Sequence, residues 1–152
     1  MPISLLKTDS LHLDYITLVA DLDAELRVMD GEEHAFYAQY NKSDQIKHVI
    51  LAYENNSPVG CGALKKHEGQ TVEIKRMFVR SERRGKGIAT TILKGLEDWA
   101  RDLGFDETIL ETGVNQPEAI NLYKKCSYSV IPNYGQYIGK EASTCMRKKL
   151  LK

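Results

Sequence analysis

The sequence of 152 residues predicts a mixed α+β fold in which helices pack on the faces of a central sheet. Three β-rich segments separated by short turns indicate antiparallel hairpins. Farther along the chain, apolar residues at helical spacing alternate with short β-rich segments. The predicted order is therefore helix, three-stranded meander, helix, strand, helix and two final strands, in a single domain spanning residues 2–152.

The first half is predicted to contain one long helix followed by the meander. Apolar residues in Leu13–Met29 recur at helical spacing and indicate an amphipathic helix. A weaker helical stretch covers Glu32–Tyr40. Turn clusters at residues 54–58 and 67–70 separate three strands, which are Lys47–Tyr53, Val59–Lys65 and Thr71–Val79.

The second half alternates helices with strands. Apolar residues from Ile88 to Leu103 mark one face of a helix, and Gly104 follows where a left-handed cap is expected. Proline suits the first turn of a helix, so Pro117 is expected to open the short one that follows the next strand. These later elements are Glu107–Thr112 (strand), Pro117–Lys125 (helix), and the strands Ser129–Ile131 and Thr144–Leu150.

Composition argues against several classes of function. The chain has 21 basic and 21 acidic residues, and a net charge of zero disfavours a general binder of nucleic acid or anionic membrane. The three cysteines are widely spaced and the four histidines form no metal-binding pattern, so we expect reduced thiols and no metal site. Neither a membrane-spanning run nor a signal-peptide core is recognisable, which favours the cytoplasm.

The segment Arg83–Thr90 (RRGKGIAT) follows a predicted strand and opens a predicted helix. The start of a helix exposes unpaired backbone N–H groups, and small residues let an anion approach them, so phosphate binding is the natural interpretation. Lys86 is followed by Gly87 instead of serine or threonine, which excludes a Walker P-loop, and Thr90 breaks the dinucleotide-binding fingerprint. A glycine turn with a solvated charge cluster is the alternative.

The sequence resembles the Gcn5-related N-acetyltransferases. The six residues Arg84 to Ala89 (RGKGIA) match the family's acetyl-CoA loop, [QR]-x-x-G-x-[GA]. The strand EIKRMFV before the loop and the later stretch LETGVNQPEAINLYKKCSY are also similar to the family. The segments PNYGQY and STCMRKKL resemble a bacterial subgroup of uncertain acceptor. The resemblance implies a mostly antiparallel sheet of six to seven strands with about four helices, splayed between its fourth and fifth strands.

The resemblance also implies where acetyl-CoA would bind. The pantetheine arm would lie in the gap between Thr71–Val79 and Glu107–Thr112, and backbone N–H groups of the glycine loop would hold the pyrophosphate. Arg83, Arg84 and Lys86 would add positive charge there. The implied cofactor-binding residues are Met77, Phe78, Val79, Arg83, Arg84, Gly85, Lys86, Gly87, Ile88, Ala89, Thr90, Gln116 and Ala119.

Three residues match catalytic positions of the family. Glu73 and Glu111 are alternative general bases for the acceptor amine, and Tyr123 is the candidate general acid for the departing thiolate. Each has a structural alternative: an ion pair with Lys75 or Arg76 for Glu73, a carboxylate ordering the following turn for Glu111, and a core aromatic for Tyr123. A departure from the family stands at residue 127, where a serine replaces the usual glycine and is expected to strain the helix exit or redirect it.

The acceptor is predicted to be a small-molecule primary amine that attacks the thioester directly in a ternary complex. Glu33, Tyr37, Tyr134 and Tyr137 would suit a cationic amine, whereas Arg76 would suit a carboxylate on the acceptor. A protein or peptide N-acetyltransferase is one alternative, and a non-catalytic acyl-CoA-binding module is another. The sequence leaves monomer and homodimer open.

Overall fold

The computed structural model describes residues 2–40 and 45–150. These residues form one seven-stranded sheet in the order β1-β2-β3-β4-β5-β7-β6 and four α-helices. The strands are β1 (Ser4–Thr8), β2 (His48–Glu54), β3 (Ser57–Lys66), β4 (Thr71–Val79), β5 (Glu107–Gly113), β6 (Ser129–Ile131) and β7 (Ser143–Lys149). The helices are α1 (Leu13–Asp30), α2 (His34–Tyr40), α3 (Ile88–Asp102) and α4 (Pro117–Lys125). The predicted fold class is confirmed, while residues 41–44 and 151–152 of the predicted domain lie outside the described part.

The sheet opens between β4 and β5, which form the one parallel pair among the described strands. Their ladder consists of Thr71–Glu107, Val72–Thr108 and Glu73–Ile109. Beyond Glu73 the two strands separate, so residues 74–79 and residues 110–113 form no β-ladder with each other. This is the splay that the resemblance implies.

A bulge in β4 accompanies the separation. Arg76 has a left-handed backbone conformation (φ +58°), and the β3–β4 register shifts between Cys61 and Ala63 at the same level. A bulge bends its strand and increases the local twist. It therefore turns the second half of β4 away from β5. The buried Arg76 guanidinium forms an ion pair with Asp23 of α1, which anchors the strained residue.

Helices cover both faces of the sheet because the central strands are apolar on both sides. In β2, Val49 and Leu51 pack under α1, whereas Ile50 packs under α3 on the opposite face. The buried side chains of α1 are Tyr15, Leu18, Val19 and Leu22, at the spacing of one helical face. No helix of the described ranges is long and apolar enough to cross a bilayer.

Several local features differ from the sequence predictions. The bounds of α1, β2, β3 and β5 shift by one or two residues, because hydrogen bonding to neighbouring elements sets where each one ends. The edge strand β1 was not predicted, and it pairs antiparallel with β2. The stretch Glu32–Tyr40 divides into a 3₁₀ turn (Gly31–Glu33) and helix α2. The last strand, predicted as Thr144–Leu150, is Ser143–Lys149.

Ser127 strains the exit of helix α4 without redirecting it. Its φ is +76°, the region that a glycine would occupy more easily. The N–H of Tyr128 donates to the carbonyl of Tyr123 (2.9 Å), and the N–H of Ser127 donates to that of Lys124 (3.1 Å). These two bonds and the edge-to-face contact of the two tyrosine rings (5.7 Å) form a Schellman motif. After this motif the chain continues into β6 and then β7.

Candidate active site

The opening between β4 and β5 forms a cleft of about 140 Å³, which we call the splay cleft. The second half of α1 and Tyr37 of α2 close one side, and α4 closes another. Its ionisable lining is mainly acidic. The side chains of chemical interest along it are Asp30, Glu33, Tyr37, Glu73, Lys75, Arg76, Glu111, Gln116, Tyr123 and Tyr137.

Glu111 lies on β5, two residues past the last parallel pair with β4. Burial raises the pKa of its carboxyl from 4.5 to about 7. A hydrogen bond from Ser143 and the charge of Lys75 oppose this increase, whereas the carboxylates of Asp30 and Glu73 add to it. A carboxyl with a pKa near neutrality can exchange a proton at physiological pH.

Glu73 is the last residue of β4 in the parallel ladder and only 7% exposed. One of its oxygens, Oε2, accepts a hydrogen bond of 2.6 Å from the hydroxyl of Tyr134. Burial raises the pKa of Tyr134, so this hydroxyl stays protonated and remains a donor. The side chain of Tyr134, predicted to contact the acceptor, is thus bound to one of the two candidate bases.

Tyr123 projects from α4, and its ring contacts Tyr128 in the core beneath α3 and α4. It also lines the splay cleft together with Ala119, one turn earlier on the helix. Burial raises the pKa of its hydroxyl, and the charge of Glu111 raises it further. The phenol is therefore protonated at neutral pH and able to donate a proton, although its ring is also a core aromatic.

The glycine loop leaves a turn of backbone donors unpaired. Gly85 (φ +79°) and Gly87 (φ +80°) are both left-handed, and Gly87 is the N-cap of α3. The first helical bond joins the N–H of Thr91 to the carbonyl of Gly87. The N–H groups of residues 88–90 have no backbone acceptor in the described part of the chain. A Cβ at either glycine would meet no atom within 4 Å, so the space in front of the loop is open.

The basic side chains of the loop are largely engaged by protein. Arg84 Nε donates to the carbonyl of Val79 (2.8 Å), and its Nη2 contacts both carboxylate oxygens of Glu25 (2.7 and 2.9 Å). Arg83 forms an ion pair with Glu54 (3.3 Å), and Lys86 is exposed. Arg84 therefore fastens the loop to β4 and α1, a role that the loop motif alone does not indicate.

The predicted acceptor residues form a largely buried wall. The rings of Tyr37 and Tyr137 stack at 6.3 Å, and the Tyr37 hydroxyl lies 2.7 Å from Ser143 Oγ. Glu33 lines the splay cleft, whereas the guanidinium of Arg76 is held by Asp23. Ser143 was not predicted as a site residue: it opens the segment STCMRKKL, to which the sequence attached no functional role. Within residues 2–40 and 45–150 no cluster of three metal-ligating side chains occurs.

The sequence model of the acetyltransferase (GNAT) family matches residues 16–128, well over half of the chain. The chain belongs to the GNAT family. A relative, the IAA acetyltransferase of Azospirillum brasilense, is 38% identical over 102 residues, which cover 66% of this chain and 67% of that protein. The family and its relatives identify an acetyltransferase enzyme.

Solved structures agree with this assignment. A Klebsiella pneumoniae protein assigned as an acyl-CoA N-acyltransferase superimposes with a TM-score of 0.83 at 26% identity, over 98% of both chains. The PaiA N-acetyltransferase of Thermoplasma acidophilum, solved in complex with coenzyme A, superimposes with a TM-score of 0.72 at 18% identity. That match covers 98% of this chain and 99% of the other, and it supports the fold.

Proposed function

We propose that this GNAT enzyme transfers the acetyl group of acetyl-CoA to a small-molecule primary amine by direct attack in a ternary complex. The observation that carries the proposal is the pair of Glu111 and Tyr123, a carboxyl with a pKa near 7 and a protonated phenol on one cleft. Amine acetylation needs one group that accepts a proton and one that donates it.

The chain offers groups that fit acetyl-CoA, which supplies the activated acetyl thioester when bound. The unpaired N–H groups at the start of α3 suit a pyrophosphate, because they combine free donors with the positive end of the helix dipole. The open space before Gly85 and Gly87 lets an anion reach them. The β4 edge beyond Glu73, including Met77 and the backbone of Phe78 and Val79, suits the pantetheine amides.

Glu111 is the better candidate for the base. An oxygen of Glu73 already accepts the short hydrogen bond from Tyr134, whereas burial and neighbouring carboxylates match Glu111 to proton transfer near neutral pH. Glu73 instead fixes the position of the Tyr134 hydroxyl, and its negative charge raises the pKa of Glu111 further. In this assignment Glu111 accepts the proton that leaves the acceptor nitrogen.

Tyr123 is proposed as the general acid. As the nitrogen–carbon bond forms and the carbon–sulfur bond breaks, the electron pair of that bond remains on sulfur. The Tyr123 hydroxyl then donates its proton to this sulfur. Because burial keeps the phenol protonated, the donor is available at every pH at which Glu111 acts as a base.

The proposed acceptor is a small cationic amine. The splay cleft carries four carboxyl groups, those of Asp30, Glu33, Glu73 and Glu111. Of its cationic side chains, Arg76 is ion-paired with Asp23. The cleft is small, at about 140 Å³, and its wall includes Tyr37 of α2 and Tyr137 of the β6–β7 connection. This favours a small amine over an exposed protein segment.

The direct test measures thiol release from acetyl-CoA in the presence of a panel of primary amines and diamines. We expect amine-dependent release with the wild-type enzyme, and a loss of roughly 10²–10⁴-fold with Glu111→Gln. Glu118→Gln, a change at an exposed glutamate of α4, is the matched control. Full activity of Glu111→Gln would refute the assignment of the base. Coenzyme A binding without turnover of any amine would favour a binding module.

A further inference from the structure

We propose that Ser143 and Tyr37 are positioning residues that form a chain of hydroxyl groups holding the carboxylate of Glu111. The proposal rests on the proposed function, in which Glu111 is the general base. Ser143 begins β7 and Tyr37 belongs to α2, so they are 106 positions apart in the sequence. Their oxygens nevertheless lie 2.7 Å apart, and the β5–β7 register places Ser143 beside Glu111 on the same face of the sheet.

The strand register explains why Ser143 reaches Glu111. On the β5–β7 ladder Glu111 pairs with Cys145, and Gly113 pairs with Ser143. Side chains two residues apart on a strand share a face, so Ser143 is the diagonal neighbour of Glu111 on the same side of the sheet. Gly113 offers no side chain to compete for this position. In the proposed chain the hydroxyl of Ser143 donates to the carboxylate from the β7 side of β5, where the sheet continues.

The direction of the hydrogen bonds follows from the number of protons available. An ionised carboxylate can only accept, so the single proton of the Ser143 hydroxyl points to Glu111. Ser143 Oγ is then free to accept from the Tyr37 hydroxyl, whose pKa burial raises above its ordinary value. Both residues are buried, at 6% and 7% exposure, so little water competes for these bonds.

Other ionisable groups also surround Glu111. Lys75 and Glu73 approach it from β4 and Asp30 from α1. The ionisable side chains of Tyr123 on α4, Tyr137 in the β6–β7 connection and Cys145 on β7 also face it. A hydrogen bond depends on direction, whereas a charge acts at any orientation. Ser143 can therefore fix the rotation of the carboxylate. Tyr37 in turn fixes the Ser143 hydroxyl, and so links the orientation of the carboxylate to the position of α2 beside the splay cleft.

The test compares Ser143→Ala, Ser143→Thr and Tyr37→Phe in the full-length enzyme. The titration of Glu111 is followed by carbon-13 NMR of labelled glutamate, with Glu111→Gln used to assign the signal. We expect the Glu111 titration midpoint to rise by about one pH unit in Ser143→Ala, because a hydrogen bond to the charged form is lost. Tyr37→Phe should raise it by less, and Ser143→Thr should restore the wild-type midpoint because it keeps the hydroxyl.

The acid limb of the kcat/KM profile should move with the NMR midpoint in each variant. Unchanged midpoints in both folded Ser143→Ala and Tyr37→Phe would overturn the proposal, and Tyr37→Phe alone decides it if Ser143→Ala does not fold. A shifted midpoint together with a fully active Glu111→Gln would instead refute Glu111 as the base while upholding the hydroxyl chain. The two failures are thus distinguishable.

Discussion

Replacing Glu111 with glutamine should stabilise the folded protein at pH 8 while it impairs catalysis. Burial raises the pKa of this carboxyl from 4.5 to about 7, so the folded state binds more protons than the unfolded state between these two values. The free energy of unfolding then falls as pH rises through that interval. A shift of this size corresponds to about 3 kcal/mol of destabilisation above pH 7, which a neutral glutamine avoids.

The assay is urea unfolding of the wild type, Glu111→Gln and the control Glu118→Gln across pH 4 to pH 8. The increase in the free energy of unfolding caused by Glu111→Gln should be near zero at pH 4. It should grow between the two pKa values and then level off. Glu118 is exposed, so its substitution should stay within about 0.5 kcal/mol of wild type throughout. A gain from Glu111→Gln that is absent at pH 8, or equal at both ends, would show that the carboxyl is not held in a disfavoured ionised state.

Three further substitutions test other parts of the molecule. Gly87→Glu places bulk and negative charge before the unpaired N–H groups of α3, so calorimetry should show at least a roughly tenfold weaker affinity for acetyl-CoA; unchanged affinity would reject the loop as the phosphate site. Tyr123→Phe should lower kcat by roughly 10²-fold with little change in acetyl-CoA binding, whereas a purely structural tyrosine would leave kcat near normal. Ser127→Gly should raise the free energy of unfolding by about 0.5–1 kcal/mol, since it relieves the left-handed strain; a thermal melt that does not rise would contradict this.

Features coded by local sequence were predictable from the sequence. The bounds of β4 and α4 agree with the prediction at both ends, since each is marked by its own periodicity and by flanking turn or proline signals. The left-handed residues Gly87 and Gly104 also stand where glycine was interpreted as a loop or cap signal. Each of these signals lies within a few residues of the structure that it specifies.

Features that depend on distant partners were not predictable. β1 is largely exposed and has no alternation of buried and exposed positions, so only its pairing with β2 defines it as a strand. The partners of Arg84 and Tyr134 lie 59 and 61 positions away in sequence, at Glu25 and Glu73. The loop motif and the tyrosine-rich segment suggested ligand contacts for these side chains, whereas folding joins each of them to a carboxylate.

The strand separation connects the opening of the splay cleft with the chemistry proposed for Glu111. A ladder that continued past Glu73 would fill the space between β4 and β5, and the cleft could not form. The bulge at Arg76 prevents this and holds an arginine in a left-handed conformation that costs on the order of 1–2 kcal/mol. Its ion pair with Asp23 and the packing of β4 beneath α1 offset that strain. Glu111 lies two residues past the last β4–β5 pair and therefore borders the opening. On its other side β5 stays paired with β7, where Ser143 is its neighbour. In this position burial raises the pKa of the Glu111 carboxyl toward neutrality. The distortion of β4 thus contributes both the space for substrates and the environment of the proposed base.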